Sequence, residues 1–206
     1  MSAPETRRTR IDLAELGPSK AYYFMISAIV PRPIAWVSTR GRDGSTNLAP
    51  FSFFQGVCAD PPTLMVSIAS RKRSGETKDT LRNVRETGEL VVNIVAEPLI
   101  DSVVASAEER PHGDSEIDAL SLGTFDAERV GAPCLAASPV NLECRLTQEV
   151  QVGSCSALFC EILLAHVAPD LLDERGTIDP EKLRPWARLG GSLYLPYGRA
   201  VRIRRP

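Results

Sequence analysis

The first strong apolar pattern is Ile34-Ala35-Trp36-Val37-Ser38-Thr39, a strand-like run followed by turn residues from Gly41 to Gly44. It predicts a β-hairpin. The return arm, Asn47-Leu48-Ala49-Pro50-Phe51-Ser52-Phe53-Phe54, carries a proline inside a strand-like run. Such a proline removes a backbone donor and marks an edge, a bulge or an interrupted ladder; an interrupted ladder leaves backbone groups free for another partner.

Further along, "TLMVSIAS" (63–70) predicts a buried strand. "DTLRNVRET" predicts a short helix over Asp79 to Thr87, with Thr77 or Asp79 as N-cap and Gly88 as its stop. "ELVVNIV" (89–95) predicts another strand, and "PLIDSVVASAEER" sets Leu99, Ile100, Val103, Val104 and Ala107 on one helical face. Residues 108–139 predict a long irregular excursion with a helical piece near Ile117 to Leu120, and such loops often border sites. Two long strands follow around Gly153, spanning 140–168, with Leu142, Cys144 and Leu146 alternating against Glu143, Arg145 and Thr147. A last strand-like run, "RAVRIR", ends the pattern. Many strands joined by hairpins predict antiparallel closure into a small barrel.

Composition narrows the picture. At 206 residues and 43% hydrophobic content the chain supports one sizeable core and a single domain. With 24 basic and 26 acidic residues, a formal charge of −2 gives no global attraction to nucleic acid or an anionic membrane. No apolar run reaches the roughly 20 residues of a membrane span; Leu158 to Val167 is interrupted by Glu161 and His166, so a soluble protein is expected. Arg7 and Arg8 precede Asp12, Glu15 and Lys20 rather than an apolar stretch, which argues against an export signal. The five cysteines form no C-x-x-C pair and have no histidines at zinc-site spacing. They predict reduced cytoplasmic thiols, mostly core filler, and no metal site; neither His112 nor His166 can be tied by sequence to a catalytic cysteine.

Candidate chemistry gathers around the hairpin. A flat heteroaromatic ring is well served by an extended backbone with unused N–H and C=O groups, and Asn47 to Phe54 offers one. Trp36, Phe51, Phe53 or Phe54 stack on such a ring, wall it off, or belong to the core. "RKRSGETKDT" supplies Arg71, Lys72, Arg73, Lys78, Thr77, Thr80 and a helix N-terminus, a combination suited to a phosphate. With no G-x-G-x-x-G and no Walker loop, the residues point to a mononucleotide-like ligand.

The ordered motifs "PRPIAWVST", "G-x-x-NLAPFSFF", "DPP-x-L-x-VSI", "KDT-x-x-N", "ETGE-x-VVN", "SPVNLECRL", "KLRP" and "RLGG-x-x-Y" closely resemble the flavin reductase-like family of FMN-binding split barrels, flavoredoxins included. The resemblance implies a mainly β fold with peripheral helices, a six-stranded antiparallel split β-barrel over residues 20–206 behind an N-terminal extension of 1–19, and a homodimer with FMN near the subunit interface. It places flavin contacts at Trp36, Val37, Ser38 and Thr39, at Asn47, Leu48, Ala49, Pro50, Phe51, Ser52 and Phe53, and at Lys78, Asp79 and Thr80, with Tyr194 contributing. The ring would lie along the Asn47 arm, with its partners freed by Pro50; Ser38 and Thr39 would meet ribityl or phosphate oxygens. Lys78 with Thr80 would hold the phosphate, and Asp79 would cap the helix. Arg32 is either a neighbour of the flavin or a surface arginine between two prolines. Implied too is hydride transfer from NADH or NADPH to flavin N5 and onward to free flavin, a monooxygenase, oxygen or another acceptor, with no obligatory side-chain acid or base. The alternative is a flavoredoxin-type electron carrier without nicotinamide activity.

Overall fold

A computed structural model describes residues 8–203. The first seven residues of the expected extension, and Arg204 in the last strand-like run, lie outside the described residues.

The first element among the described residues is a helix the pattern did not predict, α1 (Gly17–Ala28), and the expected boundary between residues 19 and 20 falls inside it. Its apolar residues, Tyr22 to Met25, are consecutive rather than spaced on a stripe, and only Ile26 is buried. Periodicity therefore carried no signal. After α1 come β1 (Ala35–Arg40), β2 (Thr46–Phe51), β3 (Phe54–Ala59) and β4 (Pro62–Ala69), then α2 (Asp79–Thr87) and β5 (Glu89–Ile94). Two short helices, α3 (Ile100–Ala105) and α4 (Glu116–Ala119), precede the long hairpin of β6 (Val140–Val152) and β7 (Cys155–Val167). The expected final strand is absent: Val201 and Ile203 are largely exposed and residues 199–203 form no regular element.

These strands form one antiparallel seven-stranded sheet in the order β2-β1-β5-β6-β7-β4-β3, one strand more than expected. The expected single return arm is two strands. β2 and β3 occupy opposite edges of the sheet, joined only by Ser52 and Phe53, so chain continuity rather than a ladder spans the split. Pro50 does not interrupt the β1–β2 ladder, which runs through Trp36↔Pro50 to Ala35↔Phe51. Successive N–H groups along a strand point to opposite sides. Because the Leu48 N–H is directed away from β1 to Glu116, the proline nitrogen two residues on also faces the free edge, where no ladder bond is lost.

Two of the three apolar clusters among the described residues flank β1. Inside the sheet, Ala35, Val37, Leu64, Val66, Ile68, Leu90, Val92 and Leu158 pack with Leu81 and Val84 of α2. On the other face of β1, Ile34, Trp36 and Leu48 pack with Val95, Leu99, Val103, Ile117 and Leu135. Each buried Leu- or Val-sized side chain contributes roughly 1.5–3 kcal/mol. β1 is therefore covered on both faces.

α2 has its expected bounds, and its C-terminus closes on Gly88 in the left-handed region (φ 75°). Its N-cap is Lys78, and no side chain caps it. The expected capping role of Asp79 gives way to ion pairing, because Lys72 Nζ lies 2.5 Å from one carboxylate oxygen and His112 Nδ1 lies 2.7 Å from the other. The buried Glu143 carboxylate of β6 holds the excursion before that strand, accepting the N–H groups of Glu128 (2.9 Å) and Arg129 (2.6 Å), and lies 2.6 Å from His166 Nε2.

Candidate functional site

The site begins at the free edge of β2. Asn47 is oriented by its side-chain amide, which donates to Thr80 Oγ1 at 2.8 Å and so ties the edge to the first turn of α2. On the other side α4 covers the edge up to Leu48, whose N–H donates to Glu116 Oε2 at 2.8 Å, while the Thr46 and Ser115 hydroxyls lie 2.7 Å apart. Between them opens a cavity of about 190 Å³. Asn47, Ala49, Pro50 and Phe51 line one wall and Lys78, Asp79 and Thr80 another. Seven of the expected residues thus meet at one place.

The remaining nine lie elsewhere. Trp36, Val37, Ser38, Thr39 and Leu48 are fully buried, because β1 has a core on each face and Leu48 points into the outer one. Trp36 donates its indole N–H to Ser106 Oγ at 2.8 Å. Ser38 donates to the Pro133 carbonyl (2.6 Å) and accepts from Asn93 (3.0 Å), while Thr39 accepts from Asn83 (3.0 Å). These hydroxyls serve the interior. Arg32 is buried rather than a surface arginine; its guanidinium donates to the carbonyls of Ile26, Ile29 and Leu189 and reaches Ser52 Oγ at 3.4 Å. It also stands 6.0 Å from the Phe53 ring centre, so Arg32, Ser52 and Phe53 form a separate group pinning the end of α1. Tyr194 stacks against the Arg188 guanidinium at 4.2 Å.

Sequence reasoning gave no site role to the third wall, Ser106 to Arg110 and Glu116. The 108–139 stretch was legible as a loop bordering a site, yet nothing local says which of its many acids turns inward. Burial pushes the Glu116 carboxyl above the usual glutamate range, against the pull of the Leu48 N–H. Asp79 is neutralised by Lys72. Lys78, by contrast, makes no ion pair among the described residues.

The α2 wall, Lys78 to Thr80, fits the phosphate that the sequence resemblance implies. The N-terminus of α2 has no side-chain cap, so its first N–H groups and the unpaired Lys78 are available to an anion at the cavity lined by Thr80.

A second polar cluster lies apart. Ligand-type atoms of Cys134, Glu143 and His166 lie within 4.8 Å of one another. Glu143 there already accepts two backbone N–H groups and pairs with His166, which accounts for it structurally. Burial pushes the Cys134 and Cys160 thiols up to about 12, so both are protonated at neutral pH and unsuited to nucleophilic work.

Comparisons with known proteins bear on the family and the fold. A family model for the flavin reductase like domain matches residues 26–186. The structure of nitrilotriacetate monooxygenase component B from Bacillus cereus superposes with a TM-score of 0.91 at 31% identity, covering 97% of this chain and 100% of that one. 2-Nitrobenzoate 2-nitroreductase NbaA from Pseudomonas fluorescens superposes with a TM-score of 0.87 at 28% identity, with 96% of each chain covered. In sequence, the FMN reductase (NADH) RutF of Pseudomonas syringae pv. syringae is 33% identical over 128 residues, 60% of this chain and 61% of RutF.

Proposed function

Because this chain belongs to the flavin reductase like domain family, we propose that it is an FMN-binding oxidoreductase, and within that class an NAD(P)H-dependent flavin reductase. The observation that carries the reading is the meeting, in one cavity, of the free β2 edge with the uncapped start of α2 and its unpaired Lys78. Lys78, the helix N–H groups and the Thr80 hydroxyl hold the phosphate. Asn47, fixed by Thr80, and the backbone beyond Leu48 address the ring edge, while Phe51 and Pro50 exclude water from one side. Pairing of Asp79 with Lys72 removes a negative charge that would oppose the phosphate. When bound, the flavin would supply hydride acceptance from NADH or NADPH and onward electron delivery. No proton transfer is assigned to a side chain.

The similarity to a monooxygenase component supports a monooxygenase or another redox protein as the recipient of electrons. A homodimer is the assembly we propose, with α1 contributing exposed Tyr22, Tyr23, Phe24 and Met25 to the contact. No helix among the described residues is long and apolar enough to cross a membrane, and the free thiols suit a reducing, cytoplasmic setting.

The test is the visible spectrum of the purified protein with FMN, titrated anaerobically with NADH and NADPH separately. Bleaching by one of them at a catalytic rate is expected. A yellow protein reduced by dithionite alone would instead make it an electron carrier of flavoredoxin type, and failure to bind FMN would remove both readings.

A further inference from the structure

The segment from Ser106 to His112 lies against the start of α2 and the loop before it, and three contacts stitch it there. Lys72 Nζ donates to the Arg110 carbonyl at 2.8 Å while it pairs with Asp79. The Glu109 carboxylate accepts the Arg73 backbone N–H at 3.0 and 3.2 Å. His112 Nδ1 lies 2.7 Å from Asp79 Oδ1, and Asp43 stands 3.6 Å from the other ring nitrogen. These contacts occupy Lys72, Asp79 and Glu109 with structural partners.

Arg110 is different. It lines the same cavity as Lys78; its side chain is 29% exposed, but its Nε is buried with no hydrogen-bond partner among the described residues. Its ion pair is a loose one, 3.8 Å to Glu108, whose side chain is 75% exposed. A buried guanidinium N–H without an acceptor calls for an explanation, and a ligand oxygen in the cavity supplies one. Of the acids lining that cavity, Asp79 and Glu109 have the partners just described and Glu116 accepts the Leu48 N–H. Lys78 and Arg110 are left as the cations able to turn to an incoming anion.

We propose that Arg110 is a second phosphate-binding residue, which completes from the stitched segment the anion site opened by Lys78 and the start of α2. The inference deepens the flavin mononucleotide reading and rests on it. A phosphate monoester dianion has oxygens enough for an ammonium, a guanidinium fork and helix N–H groups at once, and the fork matches phosphate geometry better than an ammonium does. Lys72 then acts as an anchor for the segment and not as a ligand.

The experiment measures FMN and riboflavin dissociation constants by flavin fluorescence for the parent chain, Arg110→Gln, Arg110→Lys and Lys78→Ala, with folding checked by circular dichroism melts. Arg110→Gln is expected to weaken FMN by about tenfold to a hundredfold and riboflavin by less than about twofold. Arg110→Lys keeps the charge without the fork, and a smaller loss confined to FMN is expected. If Arg110→Gln fails to fold, Arg110→Lys carries the test. Equal weakening of both flavins, or of neither, in the Arg110 variants overturns the proposal. Where Lys78→Ala still loses FMN selectively, only Arg110 is removed; where no variant separates the two flavins, the phosphate reading falls with it.

Discussion

The Glu116 carboxyl, 6% exposed, couples the fold to the cavity through one hydrogen bond to the Leu48 N–H. Burial raises its pKa in the folded state more than that N–H lowers it. A raised folded-state pKa gives stability that is complete below the unfolded pKa and is lost as pH rises through the folded one. Glu116→Gln keeps an acceptor for Leu48 and removes the titration. Its urea midpoint is therefore expected to stay flat across the pH range just above the ordinary glutamate pKa, where the parent declines; a parallel decline in both would refute this account. Glu116→Ala orphans the Leu48 N–H and should cost about 1–3 kcal/mol. None of this was legible in the sequence, because donor and acceptor lie 68 positions apart. The place of Lys78 and Thr80 at a helix start was legible for the opposite reason: it is written locally in "KDT". Ser38 and Thr39 looked like polar ligands in a strand, and only the packing of a core on each face of β1 turns them inward.

At the scale of elements, hairpins and the bounds of α2 could be read because turn glycines and helix stops act within a few residues. Gly153 (φ 57°) turns β6 into β7, and Gly88 ends α2. The proline signal was also real, but edge and interruption cannot be told apart until the neighbours of β2 are known. Since the Pro50 nitrogen faces the free edge, Pro50→Ala should leave the β1 ladder and the fold intact, with a stability change under about 1 kcal/mol. A collapse in melting temperature would show that the ladder does depend on it.

The excursion before β6 depends on Glu143 instead. Burial alone would raise the Glu143 pKa, but the Glu128 N–H, His166 and the Arg129 N–H outweigh it and hold it below the usual range. A depressed folded-state pKa gives stability that is present above the unfolded pKa and is lost as pH falls through the folded one. Glu143→Gln is expected to blunt that acid-side loss and to speed hydrogen exchange at the Glu128 and Arg129 amides. Unchanged exchange at both would mean that the segment is held by something else.

The whole molecule presents an apolar face that a monomer would leave wet. Tyr22 is 50% and Tyr23 60% exposed, on a helix whose only buried residue is Ile26. Sedimentation should find a dimer, and Tyr23→Lys should shift it toward monomer and release flavin; an undisturbed dimer would place the contact elsewhere. The sheet order has a different consequence, for biosynthesis. A ribosome delivers the outer strands first and the central pair last, since β6 and β7 lie in the middle of the sheet yet begin only at Val140. Until they emerge, the β1–β2 and β3–β4 hairpins are tethered through Ser52 and Phe53 with no shared partner, and the buried side chains of β4 have no strand beside them but β3. Pairing between β4 and β7 must wait for nearly the whole chain, and such late, distant contacts form slowly and leave apolar edges open meanwhile. A nascent chain halted before Val140 is thus expected to be captured by chaperones or degraded, because its barrel cannot be assembled in the order in which it is made.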